Sequence, residues 1–130
     1  MISEALYSKL STDSGISAIV STRVYPVRLP QNPVFPCVSF QVITEPRTYT
    51  MEGKDAPNVI FQIDCWAKTH VGAHQLAEAV SASLSGFRGT MGTGGSARYV
   101  SSCLQRNATD LFEPEVNDYR VSLDFSVWYN

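Results

Sequence analysis

At 130 residues the chain falls in the usual size range of one domain, roughly 100–150 residues, and can bury a core without disulfide or metal support. With 44% hydrophobic and 17% charged residues it is not a charge-rich disordered chain, and its weakly charged surface suits burial against neighbouring subunits. Ten Lys and Arg against twelve Asp and Glu give a net charge of -2, and the absence of any basic run argues against a free-standing nucleic-acid binder.

Taken in chain order, Ile2, Leu6 and Leu10 recur every fourth residue with Ala5 and Tyr7 alongside, the stripe of a short helix with one face on a core. Asp13-Ser14-Gly15 ends it, and Ile16, Ala18, Ile19 and Val20 predict a second short helical turn. Val24-Tyr25-Pro26 begins an extended stretch in which Pro26, Pro30, Pro33 and Pro36 forbid helix. From Cys37 to Ile43, Val38, Phe40 and Val42 share one face of a half-buried strand, and Val59 to Ala67 forms a second with Val59, Phe61, Ile63 and Cys65 inward. Between them runs a loop, Glu45 to Asn58, too long for a tight hairpin and marked as functional or mobile.

Thr69 is placed to cap a helix reaching about Leu84, with Ala73, Leu76, Ala77, Val80 and Leu84 as its apolar stripe and Gly86 as its stop. Gly86 to Ser96 is glycine-rich and reads as loop or a flexible hairpin tip. Arg98 to Gln105 reads as a strand, and Leu111 to Pro114 as an extended connection. Asp118 to Tyr129 is the clearest strand: Val121, Leu123, Phe125, Val127 and Tyr129 alternate with Arg120, Ser122, Asp124, Ser126 and Trp128. This order predicts an α+β fold, a mainly antiparallel sheet of four to five strands with two helices packed on one face, over a single domain spanning 1–130.

No apolar stretch approaches the ~20 residues that span a bilayer, and MISEALYSKL lacks a signal-peptide core, so the chain is expected to be made in the cytoplasm and to have no membrane partner. Cys37, Cys65 and Cys103 each sit in an apolar β-like run and read as reduced, buried thiols, without the close pairing that a zinc site uses.

The candidate chemistry is sparse. The glycine-rich loop lacks the G-K-[ST] ending of a phosphate loop and precedes a strand, not a helix. His70 and His74 share one helix face, but Val71 follows His70 where a metalloprotease carries Glu, so they read as two partly exposed helix histidines. Cys65 lies mid-strand on the apolar face, where a thiolate is disfavoured. Asp110, Glu113, Glu115 and Asp118 cluster along the chain with no sign of a cleft, and read as solvating groups or subunit salt bridges. No constellation supports catalysis, and neither a metal nor a cofactor is expected. Trp66 and Trp128, on otherwise polar strand faces, mark a partner surface more than a reaction centre.

Three stretches together carry a family resemblance: YPVRLPQNPVFPCVSFQVI (Tyr25 to Ile43), FQIDCWAKTHVGAHQLAEAVSASL (Phe61 to Leu84) and DLFEPEVNDYRVSLDFSVWY (Asp110 to Tyr129). They resemble the tail-completion proteins of long-tailed bacteriophages and prophages. That resemblance implies a structural, non-enzymatic virion assembly protein that completes or terminates the tail and joins it to the head connector. It further implies a place at the head-proximal end of the tail, with the tail tube protein, head connector proteins and copies of the chain itself as partners. The resemblance points to a hexameric ring around the DNA passage, with DNA passing through unread. Long loops that order on assembly would leave the isolated chain monomeric or weakly associated. Arg47, Lys54 and Arg88, three cations in the two long loops, are the candidate interface or DNA-passage residues. The alternative is a cytoplasmic, non-enzymatic α+β binding module outside any virion.

Overall fold

A computed structural model describes residues 2–44, 58–114 and 118–129. In chain order these form helices α1 (Ile2–Thr12) and α2 (Ser14–Val20), strands β1 (Val24–Pro26), β2 (Cys37–Thr44) and β3 (Asn58–Ala67), and helix α3 (His70–Leu84). Strand β4 (Gly89–Met91), a 3-10 turn at Gly94–Ser96, and strands β5 (Arg98–Glu113) and β6 (Asp118–Tyr129) follow. No helix among the described residues is long and apolar enough to cross a membrane.

Two helices begin where a side-chain oxygen satisfies amides that have no carbonyl partner one turn earlier. Asp13 Oδ1 accepts from the Gly15 and Ile16 N–H groups at 2.9 and 3.1 Å, so the segment that stops α1 also starts α2. Thr69 Oγ1 accepts from Gly72 N–H at 3.0 Å. The predicted stripe of α3, Ala73, Leu76, Ala77, Val80 and Leu84, is the set of residues that α3 buries, and in α1 the buried set is Ile2, Ala5, Leu6 and Leu10.

The sheet has six strands in the order β1-β2-β3-β6-β5-β4. β1 runs parallel to β2, and every other pairing is antiparallel. This corrects the expectation of four to five antiparallel strands with two helices: the architecture is a six-stranded mixed sheet with three α-helices. Val24–Pro26, read as the start of a proline-rich stretch, is an edge strand, continued by the Val27 N–H donating to Phe40 O at 2.7 Å. Proline is tolerated there because an edge leaves one side of the backbone unpaired. Gly89–Met91, within the stretch read as loop or a flexible hairpin tip, is a strand that pairs with Arg98–Val100, and the short turn after Asp13 is a separate helix.

Helix α1 touches β1 and β4, the strands at opposite edges of the sheet, which requires the sheet to curl around it as a half-barrel. The closest approach is at Gly92, where φ is +88° and an added Cβ would lie 2.9 Å from Ala5 Cα. Only glycine fits both the left-handed backbone and that contact. The inner face packs Val38, Phe40, Val59, Phe61, Ile63, Val121, Leu123, Phe125 and Val127 with the helices in one core.

β5 is longer than its sequence suggests. Arg98–Gln105 and Leu111–Glu113 belong to one strand because β6 supplies a partner along its length, with irregularities between Val100 and Ser102 and between Gln105 and Asn107. Residues from Leu104 to Phe112 are exposed, so neither face imposes the alternation that identifies a half-buried strand.

Candidate functional site

The outer face of the sheet carries the most concentrated polar chemistry. On β3 and β6 the alternation that buries Phe61 and Phe125 turns Asp64, Trp66 and Arg120 outward, with Trp66 paired to Arg120. Arg120 Nη1 lies 3.6 Å from Asp64 Oδ2, and its Nη2 lies 2.7 Å from Glu113 Oε1 on β5. Its guanidinium also stands 5.1 Å from the centre of the Trp66 ring. Asp64 is buried and takes hydrogen bonds from Gln62 Nε2 at 3.1 and 3.2 Å. Burial pushes its carboxyl above the ordinary value, against the lowering effect of Gln62, Ser122 and Arg120.

Trp66 is not an open platform. Its Nε1 donates to Ser39 Oγ at 3.1 Å, and Phe35, from the connection between β1 and β2, packs against it at 6.4 Å between ring centres. Lys68 caps Phe35 at 4.8 Å and pairs with the fully buried Asp118 at 3.1 Å. Trp128 is half-buried. Trp66, expected to face a partner, is therefore partly covered by its own chain. Glu113 and Asp118, expected to solvate or to bridge subunits, make ion pairs within the chain instead.

The three cysteines are free and buried, as expected. Burial pushes the Cys37 thiol up to about 12 and the Cys103 thiol to about 11, and raises Cys65 as well, so none is a nucleophile at neutral pH.

His70 and His74 do sit together on α3, with ring centres 4.4 Å apart. Asp110 joins them from β5, its Oδ1 2.8 Å from His74 Nε2 and its Oδ2 3.6 Å from His70 Nε2. Sequence spacing revealed the two histidines but not the carboxylate, which is distant along the chain and lies between the predicted strand Arg98 to Gln105 and the connection Leu111 to Pro114.

Of the three candidate loop cations, Arg88 is exposed just before β4. Arg47 and Lys54 lie outside the described residues, as do Glu115 and residues 45–57 of the loop expected to form the polar contact surface.

Two surfaces are left open among the described residues. β4 covers β5 only at Arg98–Val100, so the remainder of β5 has no strand on its far side, and it exposes Leu104, Leu111 and Phe112. At the other end of the sheet an apolar groove of about 600 Å³ runs beside β1, lined by Tyr7, Val24, Tyr25, Pro26 and Phe40.

The chain is similar to two solved structures over almost its full length. One is a component of the virion of a native gene transfer agent particle, with a TM-score of 0.72 and 20% identity over 95% of this chain and 90% of that one. The other has a TM-score of 0.66 and 17% identity over 99% of this chain and 93% of its own. At these identities both establish the fold alone. No curated protein sequence gives a match. The family model described as tail completion protein gp17 matches residues 4–130, the span that contains the sheet, the outer polar network and both open surfaces. The chain accordingly belongs to the tail completion protein gp17 family of bacteriophage virion proteins.

Proposed function

We propose that this chain, acting as a single domain, terminates or completes a phage-type tail and joins it to the head connector, as one subunit of a ring around the DNA passage. The observation that carries the reading is the match of residues 4–130 to the tail completion family. Two features of the fold support it. The sheet ends in unlike edges, β1 with its apolar groove and β5 with exposed Leu104, Leu111 and Phe112. Head-to-tail rings are built from such unlike surfaces, whereas a two-fold dimer needs one self-complementary patch. Burial also raises all three thiols, which leaves none of them a nucleophile at neutral pH. The reading contains no catalytic step and no cofactor.

In this role the partners are the tail tube protein, head connector proteins and further copies of the chain, at the head-proximal end of the tail. The particle is assembled in the bacterial cytoplasm. The ring is a hexamer that forms on the tail end, and the free chain is monomeric or weakly associated. Sedimentation velocity of the purified chain tests the last point: a single monomeric species across micromolar concentrations is expected, and a stable dimer over that range would contradict it.

Arg47, Lys54 and Arg88 line the DNA passage in this reading, meeting phosphates without reading bases. Replacing all three with Gln is expected to leave heads joined to tails while reducing DNA delivery. Joined particles of full infectivity would refute the assignment.

A further inference from the structure

We propose that His70, His74 and Asp110 form a binding site for a borderline transition-metal cation of the zinc class, bridging the start of α3 and the far half of β5. The two histidines, four residues apart, project from one face of the helix. The third ligand depends on the irregularity in β5. Before it, Gln105 pairs with Phe125; after it, Asn107 pairs with Asp124. The extra residue reverses which face each later side chain takes, so Asp110 stands opposite the inward-facing Val121. Without that insertion the alternation of the strand would turn Asp110 to the outer face, away from both imidazoles. A bulge that re-aims one carboxylate onto a pair of histidines is the kind of feature that accompanies a site.

A second observation is independent of the spacing. His74 Nε2 is shielded from solvent and faces Asp110 Oδ1 at 2.8 Å. The shielded nitrogen and the carboxylate oxygen converge beside the His70 imidazole, as ligand atoms of one cation do. One ligand atom from each of the three residues lies within 4.8 Å of the other two. Two imidazole nitrogens and one carboxylate oxygen suit zinc and its neighbours, whereas magnesium and calcium prefer oxygen alone. The three side chains remain partly open to solvent, so a fourth coordination position is available to water or to a group from another molecule.

The test uses the full chain freed of metal with a chelator, titrated with zinc chloride by calorimetry and, in parallel, with magnesium chloride. One zinc per chain and no magnesium binding are expected. The conservative variants His70→Gln, His74→Gln and Asp110→Asn should each weaken zinc binding by at least about tenfold, since even outer-shell changes cost about 10–100-fold. Because a variant can disturb folding, the wild-type imidazole 15N resonances provide a second readout: zinc should shift those of both His70 and His74. No zinc binding, affinity unchanged in the three variants, or zinc binding that leaves both imidazoles unshifted would overturn the proposal.

Discussion

Arg120 shows how a single side chain organises the outer face. It pairs with Asp64 and Glu113 and stacks near Trp66, joining β3, β5 and β6. Burial raises the Asp64 carboxyl, so this group takes up a proton in the folded state before it does so in the unfolded chain. Its contribution to stability therefore rises as pH falls through the raised folded value, and its ionised form is a net cost at neutral pH. Two substitutions separate the roles. Asp64→Asn removes the buried charge while Arg120 keeps Glu113, and should change stability at neutral pH by less than about 1 kcal/mol. Arg120→Met leaves Asp64 buried without its cation and should cost about 3 kcal/mol. Urea unfolding measures both, and equal losses would contradict the assignment. At this scale the sequence was partly legible. Alternation placed Asp64 and Arg120 outward, but only the register of β3 against β6 shows that Trp66 lies beneath Arg120.

Among the elements, α2 rests on its first residues. Partial burial pushes the Asp13 carboxyl up, but the effect is outweighed, and the carboxyl is held below its ordinary value. The Ile16 and Gly15 amides, bonded at 3.1 and 2.9 Å, are the firmest of the opposing groups, with Ser83 and Lys9 nearby. The Ser83 hydroxyl lies outside hydrogen-bonding geometry, so the amides weigh more. A depressed carboxyl gives its full stabilisation above the ordinary carboxylate range and loses it as pH falls through the lowered folded value. Asp13→Ala should therefore cost about 1 kcal/mol at neutral pH, a difference that narrows as the solution is acidified below that range. Urea midpoints across pH check it, and a pH-independent difference would contradict it.

How much of each element could be read in advance depends on burial. α3 and β6 each press one face on the core, so their periods of 3.6 and 2 are written in their residues. β1 and β4 are three residues each, too short for a period to register, and both contain residues, Pro26 and Gly89, that ordinarily argue against strand. The outer half of β5 is exposed on both faces, which removes the signal entirely. The histidine–aspartate cluster was half legible for the same reason: the helix announces its pair, while the bulge that aims Asp110 leaves no mark in composition.

For the whole molecule, the curled sheet leaves two unlike surfaces open among the described residues, β1 with its groove and the length of β5 that β4 does not cover. A weakly charged chain with 17% charged residues and unlike open edges is suited to burial between copies and against larger assemblies. Membership of the tail completion family makes that geometry part of a virion protein. Electron microscopy of particles produced without this chain tests the role most directly. Loss of the chain should yield abnormally long tails if it terminates growth, or full heads beside unjoined tails of normal length if it joins them. Tails of normal length joined to full heads, in particles that remain infectious, would contradict it.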